Sequence, residues 1–520
     1  MKTMLKRGAG VLMPIFSLPS PYGIGTFGRA AYEFIDQLKR GRQTYWQVLP
    51  MGPTCYGDSP YQSYSAFAGN PYFIDLDTLK DEKLLTQDEI DACWWCDKQD
   101  QVNYDALYYY RFPLLRKAYE RSSHKESVEY QAFLEENEEW LDDYALYMAV
   151  KGKYEGKGWM DWDEDIRFRR PEALSACREE LAEEINYWKF LQFKFFEQWK
   201  KLKQYAKEKE LQIVGDIPIY VALDSADVWS HPELFQLDEE NLTPLKVSGV
   251  PPDAFSEDGQ LWGNPLYDWE KMEQTDFAWW RSRMKASAEL YDAVRIDHFI
   301  GVVQYYAIPY GAVTAKDGEW EKGPGKKLTD ALDEAAGETK IIAEDLGVFC
   351  QEVKDLLAET GYPGMKVLEF AFDRRDQAGG RVYQPHNYPA NCVAYVGTHD
   401  NDPAAGWFEN ADPRDVAFAR DYLKLAQDED QVWGMMRAIW ASTVVQAQDL
   451  LGLGSKARMN TPSTLGGNWC WRALPGAFTP QLATRMAHEM HLYERLPRQA
   501  EEAYGEEEQP GSSSTKTVER

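Results

Sequence analysis

The chain has little cysteine, and none of it is arranged as cross-links. Cys55, Cys93, Cys96, Cys177, Cys350, Cys392 and Cys470 are odd in number and scattered over 520 residues, which argues against a disulfide framework. Only Cys93-Trp-Trp-Cys96 has metal or redox spacing, and neither a second pair nor a nearby His completes a zinc site. Long apolar runs are also lacking. No stretch of about 18 apolar residues occurs, and Met1-Lys-Thr-Met-Leu-Lys-Arg-Gly has no apolar signal core. The expectation is a cytoplasmic protein with reduced thiols and no membrane partner. Positive charge is in deficit: 57 Lys and Arg stand against 85 Asp and Glu, for a formal net charge of −28. That balance argues against nucleic acid or an anionic membrane surface as a partner. A neutral or cationic ligand remains compatible, and the acidity also serves solubility.

What the chain has in quantity is aromatic residues, 14% of the total. Core packing accounts for most of them. The rest are available for the apolar C–H faces of sugars.

Four strand-like segments end in a charged residue. They read Leu211-Gln-Ile-Val-Gly-Asp216, Tyr291-Asp-Ala-Val-Arg295-Ile-Asp297-His298, Lys340-Ile-Ile-Ala-Glu344-Asp345 and Val393-Ala-Tyr-Val-Gly-Thr-His399-Asp400. An apolar run closed by a carboxylate is how a β/α barrel displays catalytic residues at the C-terminal ends of its strands. Separated acids delivered to one rim are what glycosidic-bond chemistry requires.

Such apolar runs recur with helical stretches between them, which predicts an α/β chain built as a (β/α)8 TIM barrel with a parallel sheet. Length alone would also allow two to four domains. The candidate barrel strands are 11–16, 45–49, 211–215, 293–296, 341–343, 366–372 and 393–396, with an eighth placed near 449–453. The barrel spans 1–497, without a separate C-terminal β domain. A mainly helical insertion is expected over 79–210, with helices at 129–150 and 171–209. The stretch 243–267, with Gly249, Pro251, Pro252, Gly259, Gly263 and Pro265, reads as a long active-site loop. Residues 498–520 read as a disordered polar tail.

On a strand, side chains at i and i+2 share a face, so Arg295 and Asp297 both point to the barrel mouth. A guanidinium beside a carboxylate favours the ionised form, which suits attack on an anomeric carbon; the alternative is a structural ion pair. Glu344, in a partly apolar mouth near another acid, fits a general acid with a raised pKa. Asp345 faces the other way, as a cap or structural acceptor. Asp400 suits stabilisation of developing positive charge, and His399 is a natural hydroxyl partner. Asp, His and Asp together also raise a metal site, but the remaining ligands are not evident. No metal and no cofactor are expected.

These residues carry a family resemblance. The four strand ends match the signature regions of the α-amylase clan. The flanking motifs narrow the match: Ser17-Leu-Pro-Ser-Pro-Tyr-Gly-Ile-Gly25, Tyr45-Trp-Gln-Val-Leu-Pro-Met-Gly-Pro53, Ser59-Pro-Tyr-Gln-Ser-Tyr-Ser-Ala-Phe-Ala-Gly-Asn-Pro71, Gly249-Val-Pro-Pro-Asp-Ala-Phe-Ser256, Gly259-Gln-Leu-Trp-Gly-Asn-Pro-Leu-Tyr267, Arg458-Met-Asn-Thr-Pro462 and Gly467-Asn-Trp469. The chain resembles the amylomaltases, the bacterial 4-alpha-glucanotransferases (disproportionating enzymes), over nearly its whole length.

The resemblance implies roles. Asp297 is the nucleophile, Glu344 the acid and then the base, and Asp400 the stabiliser of the transition state, supported by Arg295 and His399. Gln260 and Trp262 lie against bound sugar. Ser59, Tyr61, Asp373 and Asn468 match further sugar contacts, and Phe255 sits where a loop crosses the acceptor path. Asp216 matches the first clan region, either structural or at the edge of the site. The ligands implied are maltooligosaccharides and alpha-1,4-glucans, for a monomer or homodimer. The reaction implied is transfer of a glucan segment to the 4-OH of an acceptor by a retaining double displacement; the rival is a plain α-glucan hydrolase. A non-catalytic glucan-binding protein is a third reading, disfavoured by the three intact acids. Two departures stand out. Asp216-Ile-Pro-Ile-Tyr220-Val221 lacks the Asn-His pair that serves calcium in many α-amylases. Asp297-His-Phe is followed by Ile300-Gly-Val302 where the family often has Arg-Gly-Phe.

Overall fold

A computed structural model describes residues 5–496 except 56, 253–255, 348–349, 374–379, 427–429 and 441–442. In chain order its strands are β1 (Ala9–Leu12), β2 (Tyr45–Gln47), β3 (Gln212–Ile217), β4 (Lys246–Val250), β5 (Gln260–Pro265) and β6 (Ala293–Ile296). They continue with β7 (Gln304–Pro309), β8 (Glu319–Lys322), β9 (Lys340–Ala343), β10 (Gly364–Val367), β11 (Cys392–Tyr395) and β12 (Thr443–Gln446). Eight of them form one parallel sheet in the order β10-β11-β12-β1-β2-β3-β6-β9. The ends of that order nearly meet. Ala343 N donates to Pro363 O at 3.0 Å, and Met365 N donates to Asp345 Oδ1 at 2.7 Å, so Asp345 is an acceptor at the seam between β9 and β10. The result is a TIM barrel with helices around it.

The barrel strands are short and buried on both faces, as parallel strands under a helical coat must be. β1, β2, β6 and β11 are buried throughout. Helices such as Arg29–Arg40, Ala278–Leu290 and Lys326–Ala336 cover them with one apolar stripe each, Phe34, Ile35 and Leu38 in the first case. Gly215 in β3 lets the coat approach closely: a Cβ there would sit 2.2 Å from the Tyr291 ring.

Between β2 and β3 the chain is helical. Asn137 divides Val128–Glu136 from Glu138–Lys153, and Leu181 divides Pro171–Glu180 from the 27-residue helix Ala182–Glu208. Phe195 and Trp199 of that last helix pack on Phe27 at 5.0 and 5.2 Å between ring centroids.

Three expectations change. The eighth strand is Thr443–Gln446, not 449–453; Asp449 belongs to the short helix Ala447–Leu450. The apolar run 366–372 is strand only to Val367, and Leu368–Phe372 is a 3-10 turn. The stretch 243–267 contains paired strands. β4 pairs antiparallel with both β5 and β7, within the four-stranded sheet β5-β4-β7-β8. Its glycines mark close backbone approach: a Cβ at Gly249 would meet Gln260 O at 2.2 Å. The tail from 498 lies outside the described residues. Among the described residues, no helix is long and apolar enough to cross a membrane.

Candidate active site

The site follows from strand register. In the parallel pair β3–β6, Asp216 is the partner of Arg295, and in β6–β9 Ile296 is the partner of Ala343. Continued one residue beyond the strands, that register sets Asp297 level with Glu344. Asp297 N donates to Ile217 O at 2.9 Å and Glu344 N to Ile296 O at 3.1 Å. Arg295, sharing a face with Asp297, holds two acids at once. Its Nη1 reaches both Asp216 oxygens at 2.7 Å, and its Nη2 reaches Asp297 Oδ1 at 2.8 Å.

The three acids differ in their surroundings. Asp297 is 29% and Asp400 45% exposed at the side chain. Glu344 is buried, and its two oxygens accept backbone N–H groups, Oε1 from Leu346 at 2.6 Å and Oε2 from His298 at 2.8 Å. Burial pushes its pKa up to about 8, and the charge on Asp297 adds to that; Arg295 and the two N–H donors oppose it. A carboxyl that keeps its proton at neutral pH thus stands beside one held by a guanidinium.

His298 makes this geometry possible. It takes a left-handed backbone (φ 51°) immediately after Asp297, which turns its N–H to Glu344. Burial lowers its imidazole to about 4, so the ring is neutral, and it meets Trp262 edge-on at 4.7 Å. Trp262 Nε1 donates to Gln260 Oε1 at 3.1 Å, so the two β5 residues form one hydrogen-bonded wall.

Asp400 is braced from the chain's C-terminal part. Asn460 Nδ2 donates to Asp400 Oδ1 at 2.6 Å, and Arg458 Nη2 to Asp400 O at 2.6 Å. His399 Nε2 lies 3.5 Å from Asp400 Oδ2, and the His399 ring stacks on Tyr61 at 5.1 Å and 17°. Asn460 and Arg458 were not among the expected site residues. Their signal was present in Arg458-Met-Asn-Thr-Pro462, but a loop motif does not say which acid it will reach.

The remaining expected residues divide by position. Asp216 is enclosed: its side chain has no exposure, and it accepts from Arg295 and from the Tyr61 hydroxyl at 2.8 Å. Burial raises its pKa and the Arg295 guanidinium opposes that. Ser59 Oγ accepts from Tyr61 N at 3.3 Å and shapes the turn that presents Tyr61. Asn468 is committed within its own loop, accepting from Thr461 N at 3.0 Å and donating to Thr464 O at 3.2 Å. Asp373 follows the 3-10 turn after β10 and is half-buried. Phe255 lies outside the described residues. Ile300 and Val302 are buried under the rim. All seven cysteines are free.

Comparison with known proteins agrees with this geometry. A family profile described as 4-alpha-glucanotransferase matches residues 13–476. A 4-alpha-glucanotransferase of Clostridium butyricum is 50% identical over 488 residues, covering 93% of this chain and all of that one. One from Thermus thermophilus is 45% identical over 507 residues, covering 95% of this chain and all of that one. Among solved structures, the amylomaltase from Streptococcus agalactiae in complex with acarbose superposes with a TM-score of 0.91 at 42% identity, covering 95% of this chain and 100% of that one.

Proposed function

This chain belongs to the 4-alpha-glucanotransferase family, and from that membership we propose how its site performs the reaction. The activity is 4-alpha-glucanotransferase activity, and α-glucan oligosaccharides are the ligands. The proposal concerns the residues and the path. Asp297, held by Arg295, attacks the anomeric carbon of an alpha-1,4-linked glucosyl unit. Glu344 gives its proton to the departing glycosidic oxygen, and the released chain leaves with a free 4-OH. The covalent glucosyl-enzyme is then attacked by the 4-OH of an acceptor, whose proton passes to Glu344, now the base. Configuration is retained because the anomeric carbon is inverted twice, with the two carboxyl groups expected about 5–5.5 Å apart.

The observation that carries this reading is the buried Glu344 carboxyl, its pKa raised by that burial, whose Oε2 is tied to the N–H of the residue after Asp297. Acid and nucleophile are thereby fixed relative to each other, as a double displacement needs. Asp400, oriented by Asn460, faces the charge that develops at the sugar ring. Gln260, Trp262, Tyr61 and His399 line the approach, with Ser59, Asp373 and Asn468 further out. The setting proposed is the cytoplasm, with the protein acting as monomer or homodimer on maltooligosaccharides. In the proposed organisation, residues 1–497 form the catalytic unit.

Incubation with maltotriose tests the reading. Transfer makes one glycosidic bond for each one broken, so glucose and longer chains accumulate while the total of reducing ends stays constant. A steady rise in reducing ends would overturn transfer in favour of hydrolysis.

A further inference from the structure

The turn that carries Asp400 rests on buried acids that the mechanism does not use. Glu369 is 4% exposed and Asp449 has no exposure. Glu369 comes from the 3-10 turn Leu368–Phe372, where the apolar run leaves β10, and its N–H donates to Val396 O at 3.1 Å, just past the end of β11. Its carboxyl lies against Gly397. A Cβ on that glycine would stand 3.0 Å from Glu369 Oε1 and 2.9 Å from the Asn401 Cβ. The Asn401 side chain hydrogen-bonds the Glu369 carboxyl.

Asn401 in turn closes the backbone over His399 and Asp400. Its N–H donates to Thr398 O at 3.0 Å, and its Oδ1 accepts from Thr398 N at 2.9 Å and from Thr398 Oγ1 at 3.0 Å. His399 and Asp400 are the central residues of that turn, and Asp400 N donates to Thr398 Oγ1 at 3.3 Å. With its oxygen committed to Thr398, Asn401 has its amide nitrogen left for Glu369. One side chain therefore links Glu369 to the turn that presents Asp400.

The surroundings keep Glu369 neutral. Burial raises its pKa well above the ordinary value, and the charges on Asp449 and Asp402 add to that; Arg458 and Asn401 oppose it. Asp449 is itself pushed up to about 7, first by burial. Arg458 is already committed, Nε to Asn460 O at 2.8 Å and Nη2 to Asp400 O. Glu369 Oε1, Asp402 Oδ1 and Asp449 Oδ2 are buried with no hydrogen-bond partner among the described residues, so charge on all three would be costly. Among the described residues, no group of acids is placed to hold a metal ion.

We propose that Glu369 is a positioning residue for the transfer reaction: its carboxyl anchors Asn401, and Asn401 fixes the turn that aims Asp400 at the sugar ring. Enclosed as it is, Glu369 acts through Asn401 and not on the ligand. This rests on the role given to Asp400 in the proposed mechanism.

The test uses the full chain in the maltotriose assay, well below the melting temperature of each variant. Glu369→Leu removes the acceptor and keeps the bulk, whereas Glu369→Gln keeps a neutral acceptor of the same shape. Asn401→Ala breaks the same link from a half-buried position, should Glu369→Leu not fold. Misplacing Asp400 is expected to lower kcat about tenfold or more in Glu369→Leu and in Asn401→Ala, with KM within about twofold of the parent. Glu369→Gln is expected to restore kcat to within about threefold of the parent. Combining Glu369→Leu with Asn401→Ala is expected to cost no more than the worse single change, because both act on one link. A Glu369→Leu protein that melts lower yet turns over normally would show a scaffold role alone and overturn the proposal. So would a loss in Glu369→Gln equal to that in Glu369→Leu, or losses that multiply in the double variant. Asp400→Ala is the control: a kcat near that of the parent would strike the reading of the catalytic site itself.

Discussion

Replacing Glu344 by Gln abolishes turnover in the proposed mechanism, and it also has a measurable effect on stability. The Glu344 carboxyl is 7% exposed, and its pKa is pushed from 4.5 up to about 8, first by burial. That difference, 8 minus 4.5, corresponds at 1.36 kcal/mol per pH unit to about 5 kcal/mol. Because the folded value lies above the unfolded one, the native state holds the proton more tightly. The associated stabilisation is complete below about pH 4.5 and is lost as the pH rises through about 8. Glu344→Gln cannot titrate, so it keeps what the parent loses.

The assay is thermal unfolding of both proteins from pH 5 to pH 9. With an unfolding entropy of about 2.1 cal/mol/K per residue, 520 residues give about 1.1 kcal/mol/K. About 4 kcal/mol of it falls between pH 5 and pH 9, so the melting temperature of Glu344→Gln relative to the parent should rise by about 4 °C across that interval. The Gln amide also faces the N–H groups of His298 and Leu346, donor against donor. That cost is the same at every pH and shifts the curve without tilting it. The parent's kcat/KM should fall above about pH 8, as the acid is titrated. Parallel melting curves, or activity undiminished well above pH 8, would refute the assignment of Glu344 as a buried, protonated acid.

Asp216→Asn leaves Arg295 buried with one of its two anions gone, and breaking such a pair costs about 3–5 kcal/mol. Denaturant unfolding should show a loss of that size, accompanied by lower kcat/KM because Arg295 no longer orients Asp297; a near-neutral effect on both would contradict the network. Asn460→Ala removes the 2.6 Å donor to Asp400 Oδ1. A hydrogen bond to a charged group is worth about 1.5–3 kcal/mol, so kcat on maltotriose should fall about 10- to 100-fold with KM little changed; a change confined to KM would show that Asn460 serves binding instead.

The barrel was readable because its strands are both apolar and terminated by chemistry. Ala293–Ile296 and the acids beyond it stand out for that reason. Thr443–Gln446 did not. It has four residues, carries no acid at its end, and runs directly into Ala447–Leu450. The Leu450, Leu451 and Leu453 cluster that follows looks more like a strand than the strand itself. The hairpin of β4 and β5 was hidden by its own glycines and prolines, which in isolation signal a loop. It takes the third partner, β7, to make it a sheet.

The site shows where sequence reasoning loses power. A carboxylate at a strand end can serve the ligand or the scaffold, and both kinds occur here. Asp216 and Asp297 look alike in the chain and both bind Arg295, yet the first has no exposure and the second is 29% exposed. Only the β3–β6–β9 register separates them, because it places Asp216 level with Arg295, two residues lower in the barrel than Asp297 and Glu344. The wall that carries Trp262 takes its rigidity from the second, antiparallel sheet. Trp262 is held by a strand that pairs with β4, which pairs in turn with β7, and its ring rests on His298. A sugar meeting Trp262 and Gln260 therefore meets side chains already ordered, and little rotamer entropy opposes binding. In the proposed mechanism such a preformed wall favours a glucan over water at the glucosyl-enzyme. There the three acids carry cleavage, and the ordering of β5 against His298 supplies a physical reason for transfer.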